Sequence, residues 1–85
     1  MKAITPGSRI ALPMRDVGSA LVEVGFKQLH RENTRPVIKP GIVNDSQDPA
    51  SVECKVPDLP PGSYHVMLRR KGGHWGVAMT AQVPS

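Results

Sequence analysis

Proline and glycine punctuate this chain from end to end, nine Pro and eight Gly among 85 residues. They break it about every eight to twelve residues, a spacing that excludes long helices and suits short strands joined by turns. The segments between the breaks carry the matching period. In 50–56, Ala50, Val52, Cys54 and Val56 fall on one side and Ser51, Glu53 and Lys55 on the other, the pattern of a half-buried strand. Ser8 to Met14 reads the same way, with Ile10, Leu12 and Met14 inward and Pro13 marking an edge strand. From Ser19 to Leu29, Ala20, Val22, Val24 and Phe26 share a face against Leu21, Glu23 and Lys27. A short helix capped by Asp16, with a Val17, Leu21 and Val24 stripe, is the rival reading, and Gly18, Gly25 and the valines weigh against it. Residues 30–35 and 44–49 are polar loops, and Val37-Ile38 between Pro36 and Pro40 makes a short, interrupted strand.

The last third predicts a hairpin from Ser63 to Val83. Gly72-Gly73 suits a type I′ turn, which needs positive φ at both central positions. With Lys71 opposite His74, the ladder places Arg70 across from Trp75, Leu68 from Val77, Val66 from Met79 and Tyr64 from Ala81. The large apolar residues then share one face, and a slip of one residue destroys that agreement. His65, Met67, Arg69, Lys71, His74, Gly76, Ala78 and Thr80 take the other face. Pro57, Pro60, Pro61 and Gly62 force the turn ahead of this ribbon.

A chain of this length fits one domain, residues 1–85, with one core. The composition is 39% apolar with a single Trp, Tyr and Phe, so stability rests on aliphatic packing and backbone pairing. Cys54 is the only cysteine, which excludes an internal disulfide and a cystine-rich scaffold. Met1 to Arg15 has no apolar run of signal-peptide length, and nothing approaches the roughly twenty apolar residues that span a bilayer. A soluble chain of unassigned compartment is therefore expected.

The stretch from Val52 through Cys54, Val56-Pro57, Leu59-Pro60-Pro61-Gly62 and Tyr64-His65-Val66-Met67-Leu68, followed by the Gly-Gly turn and His74-Trp75-Gly76-Val77-Ala78, resembles the C-terminal half of an IPT/TIG domain. The likeness covers mainly residues 50–83. It implies an all-β, immunoglobulin-like sandwich of about six to seven strands whose work is contact. Such domains occur in receptor ectodomains, transcription factors and multidomain enzymes, and similar folds decorate virion proteins.

Candidate chemistry is sparse. Ser63 near His65 lacks an orienting acid and a G-x-S-x-G elbow. Asp45 and Asp48 share a loop but fall short of the alternating oxygen ligands of a calcium loop. His30, His65 and His74 lack metal-ligand spacing, and Cys54 reads as a small buried hydrophobe. No catalytic residue, metal or cofactor is expected. The charge balance of +4 has more content. Arg69, Lys71 and His74 project together at the hairpin, Arg31 and Arg35 are candidates to extend that patch, and Arg70 is expected to stack on Trp75. The expected function is a non-catalytic interaction or structural module with a protein partner or neighbouring domains, and with open edge strands as a route to oligomers. The alternative is a small basic adaptor that binds nucleic acid or another polyanion through Arg69, Lys71, His74, Arg31 and Arg35.

Overall fold

A computed structural model describes residues 2–13, 21–31, 34–44 and 51–85. Among these, seven strands and no helix occur: β1 (Lys2–Ala3), β2 (Arg9–Pro13), β3 (Val22–Gln28), β4 (Val37–Asn44), β5 (Ser51–Lys55), β6 (Gly62–Arg70) and β7 (Gly76–Val83). Their neighbour order is β1-β7-β6-β3-β4-β5-β2 in one curled sheet. The chain is thus all-β as expected, but the sheet forms a half-barrel and not two cleanly separated layers. The reason lies in β4. Val37 to Gly41 pair with β3, whereas Ile42 to Asn44 pair with β5, so a single strand carries the curl from one half to the other. A β-carbon added at Gly41 would lie 2.6 Å from Val52 Cγ1. Only a residue without a side chain lets β4 turn this tightly over the core.

The alternations read from the sequence hold in β2, β3 and β5. Ile10, Leu12, Val22, Val24, Phe26, Val52, Cys54 and Val56 are all buried, and Leu21 is exposed on the opposite side. Residues 22–28 are strand; Asp16, Val17, Met14, Asp45 and Asp48 lie outside the described residues. Pro13 sits in an edge strand, since among the described residues β2 has β5 as its single neighbour.

Three expectations change. Strand β4 is not short or interrupted: it runs for eight residues through Pro40. Pro40 falls where β4 has β3 on one side and, among the described residues, no partner on the other, a position where a sheet tolerates a missing donor. The strand pattern read from the sequence begins at Ser8, yet the first residues also join the sheet. Lys2 and Ala3 pair in parallel with Ala81 and Gln82, and Ile4 is 2% exposed within the core. Chain segment 4–8 then crosses to the far edge of the sheet, fixed by Gly7 N–H to Val56 C=O and Val56 N–H to Ser8 C=O at 2.9 and 2.8 Å.

The third correction concerns the hairpin. Tyr64↔Ala81 and Val66↔Met79 pair as predicted, but Leu68 faces Gly76 and Met67 faces Val77. The turn is closed one residue earlier, by Gly73 N–H to Arg70 C=O at 2.7 Å, with Lys71-Gly72 at its centre and positive φ at Gly72 alone of the two glycines. The surplus residue is absorbed as a bulge beside Val66 and Met67. Two consecutive residues of the bulged strand, Ala78 and Met79, both pack against the core, and Val77 is turned outward at 57% exposure.

Candidate interaction surface

The bulge decides what the outer face of the sheet displays. Residues directly opposite one another in an antiparallel ladder point to the same side. Gly25 pairs with both Ile38 and Met67, and Met67 pairs with Val77. Ile38, Gly25, Met67 and Val77 therefore form a row across β4, β3, β6 and β7 on the outside of the curl. Met67 is buried, yet Ile38 is 41% exposed.

Trp75 lies over the centre of this row. Its ring atoms Cη2 and Cζ3 come within 2.9 and 3.1 Å of where a β-carbon on Gly25 would stand, so the absent side chain is the seat of the indole. The Arg69 guanidinium covers the same ring at 4.2 Å from its centroid, and Arg69 Nε donates to Glu23 Oε1 at 3.1 Å. Glu23 and Arg69 are themselves opposite partners in the ladder. The three side chains hold one another: carboxylate fixes guanidinium, and guanidinium fixes ring. At this half-exposed position the ion pair contributes about 0–1 kcal/mol and the stack about 0.5–1. Its effect is to hold a large aromatic in one place with part of its surface in solvent.

This geometry replaces the expected Arg70–Trp75 stack. The earlier turn and the bulge move Trp75 out of register with Arg70, and Arg69 becomes its partner instead. It also divides the expected cationic patch. Arg69, Lys71 and His74 lie at the hairpin end of β6. Arg31 and Arg35 lie at the other end, in the loop whose Thr34 Oγ1 donates to the carbonyl of Gln28 at 3.3 Å, and Gln28 faces Tyr64. The eight residues from Tyr64 to Lys71 separate the two groups by roughly 20 Å. Arg69 is in addition tied to Glu23, so the cations do not line up as one phosphate track.

Elsewhere the described residues offer little for chemistry. An open cleft of about 510 Å³ is lined by Pro6, Gly7, Lys39, Lys55, Val56, Pro57 and Asp58, where β4 and β5 diverge. It brings together two ammonium groups and one carboxylate, with no nucleophile beside a base. Burial pushes the Cys54 thiol up from its ordinary 9.0, partly countered by Lys39. Burial likewise raises the Tyr64 phenol from 10.0, partly countered by Arg31. The Tyr64 hydroxyl donates to Pro60 C=O at 2.6 Å, so it ties the linker before β6 to the core. Among the described residues no His, Cys, Asp and Glu group could hold a metal ion. His65 faces Thr80, as the sequence suggested.

Sequence reasoning missed the row and its clamp because both depend on a bulge. The signal available was Trp75 following a glycine-rich turn, with Gly25 as the one small residue in an otherwise bulky strand. No family model, no curated protein and no solved structure matches the chain.

Proposed function

We propose that this domain is a non-catalytic protein-interaction module of immunoglobulin-like kind, and that it binds through the outer face of β4, β3, β6 and β7. The observation that carries the reading is Trp75, held by Gly25 and Arg69 in the middle of an apolar row. Protein interfaces are enriched in Trp, Met and Arg, with pre-positioned aromatics acting as anchors at their centres. A rim of Lys27, His65 and the Glu23–Arg69 pair surrounds the row, the polar border such patches carry. The immunoglobulin-like assignment draws support from the neighbour relations: β3, β6 and β7 adjoin, as do β2 and β5, like the C-F-G and B-E groupings of those sandwiches. The IPT/TIG resemblance of residues 50–83 belongs to the same reading, with a receptor, a virion or a multidomain protein as the setting. The absence of catalysis in this reading rests on Cys54 and Tyr64. Both are core groups whose proton affinity is raised, the opposite of an activated nucleophile.

The test is comparative capture from the parental cell, followed by titration of the purified captured protein. Trp75→Ala and Ile38→Glu should each weaken binding at least tenfold, about 1.4 kcal/mol, while circular dichroism stays unchanged. A partner that binds both variants as tightly as the parent domain refutes the outer-face reading. Strong binding to DNA or heparin at low salt, lost on raising salt, would favour the polyanion adaptor instead.

A further inference from the structure

Strand β7 is an edge over most of its length. β1 covers it at Ala81 and Gln82, and among the described residues nothing pairs with Gly76 to Thr80 on that side. Gln82 shows that this edge accepts a strand, because its carbonyl receives the Ile4 N–H at 2.9 Å. Backbone groups alternate sides along a strand, so Thr80, two residues earlier, presents its N–H and C=O to the same open side. Strand edges are blunted in proteins by charged side chains, prolines or bulges. From Gly76 to Val83 there is no charge and no proline; the bulge alone interrupts the edge.

The charge around this edge has one sign. No Asp or Glu occurs from Leu59 to Ser85. Arg70, Lys71 and His74 stand exposed before Gly76, and Lys2 stands exposed opposite Ala81, so cationic side chains bracket the open segment. A second copy of the chain fits it poorly: each copy carries +4, and two bulged edges related by a two-fold axis would meet kink against kink.

We propose that the edge Gly76–Thr80 binds an extended acidic segment of a partner protein, added as a further strand. Its main chain pairs at Thr80, and its flanking carboxylates meet Lys71 on one side and Lys2 on the other. This mode is strand addition, in which backbone hydrogen bonds supply affinity and flanking side chains supply selectivity. It extends the interaction-module reading to a second surface, one built from main-chain groups and not from the Trp75 row.

The probe is a short peptide of alternating Val and Thr with paired Glu at each end, beside a counterpart with Lys in place of Glu. The readouts are amide hydrogen exchange at Thr80 and emission of the single Trp. The acidic peptide should slow exchange at Thr80 about tenfold at saturation and lose affinity as salt rises, and the lysine peptide should do neither. Thr80→Pro removes an N–H that faces the open side, which an edge strand tolerates, and should abolish binding. If that variant does not fold, the double reversal Arg70→Glu with Lys71→Glu replaces it and should weaken binding at least tenfold. No protection at Thr80 up to about 1 mM peptide overturns the proposal. So does binding that ignores these substitutions, or a Thr80-dependent dimer that excludes the peptide. Trp75→Ala and Ile38→Glu should leave protection at Thr80 intact, so failure of the outer-face reading is seen separately.

Discussion

Replacing Gly41 by Ala tests the feature that curls the sheet. The new methyl carbon would stand 2.6 Å from Val52 Cγ1, 3.3 Å from Val24 Cγ2 and 3.4 Å from the carbonyl of Val22, where ordinary contact begins at 3.4 Å. The deficit against Val52 is 3.4 − 2.6 = 0.8 Å. Neither valine has room to yield, since both are 0% exposed and β-branched side chains are stiff at χ1. Overpacking of this kind costs about 1–3 kcal/mol, and the lower entropy of the unfolded alanine chain offsets about 0.4–1. The net loss is about 1–2 kcal/mol, a fall in Tm of about 5–15 °C for a domain this small.

Thermal and urea unfolding of a double-mutant cycle isolates the cause. Val52→Ala alone should cost about 2 kcal/mol by leaving a cavity. In Gly41→Ala with Val52→Ala the added methyl occupies vacated space, so the pair should be about 1–2 kcal/mol more stable than the sum of the singles. Gly76→Ala is the control: the nearest atom to its new carbon is Leu68 O at 4.0 Å, and stability should hold or rise slightly. Additive effects at 41 and 52, or a Gly41→Ala protein that melts with its parent, would refute the passage of β4 over Val52.

Three further outcomes follow from the same packing. Gly25→Ala should displace the indole from Arg69 and shift Trp75 emission to the red, with little change in stability because the lost stack of about 0.5–1 kcal/mol is met by a similar gain in chain entropy; unchanged emission would mean that the ring is not seated on β3. Tyr64→Phe removes the 2.6 Å bond to Pro60 and should cost about 1 kcal/mol, so a variant as resistant to urea as its parent would deny that tether a role. Cys54 and Tyr64 both have raised proton affinities in the fold, from 9.0 and 10.0. Their contribution is full below those values and declines as pH climbs past 9.0 and then 10.0, because the folded state holds the proton more tightly. Melts across that range should show Cys54→Val flattening the first part of the decline, and equal slopes in parent and variant would remove Cys54 as its source.

The strands were legible where side chains alternate between core and solvent. β2 and β5 each bury one face alone, and β3 does so apart from Gly25 beneath Trp75, so a period of two in the sequence maps onto a period of two in burial. β4 concealed itself because its pattern is not alternating: Val37, Ile38 and Ile42 are all exposed, and Pro40-Gly41 reads as a break. Its strand character comes from β3 and β5, neighbours remote in sequence. β1 was hidden for a similar reason, two residues long and held by a partner near the other end of the chain. The hairpin was half legible. Packing fixed Tyr64 and Val66 against Ala81 and Met79, but the glycine pair allowed more than one turn, and the chosen one uses positive φ at Gly72 only.

That choice of turn couples the core to the surface. A turn centred on Gly72-Gly73 would have paired Leu68 with Val77 and drawn Val77 inward, leaving Trp75 across from Arg70 at the rim. With the turn one residue earlier, the ladder must absorb an extra residue before Met79, and the bulge does so by turning Ala78 and Met79 inward together. The consequence runs outward along the strand. Val77 emerges on the outer face beside Met67, and the indole of Trp75 crosses β6 to rest on Gly25. The same residue that interrupts the β7 edge therefore builds the apolar row. Deleting Ala78 should remove the bulge while Met67 stays opposite Val77 and Leu68 opposite Gly76, so Trp75 keeps its seat on Gly25 and cross-strand nuclear Overhauser contacts between Met67 and Val77 persist. If Val77 instead moves inward opposite Leu68 and the indole leaves Gly25, the turn does not set the register.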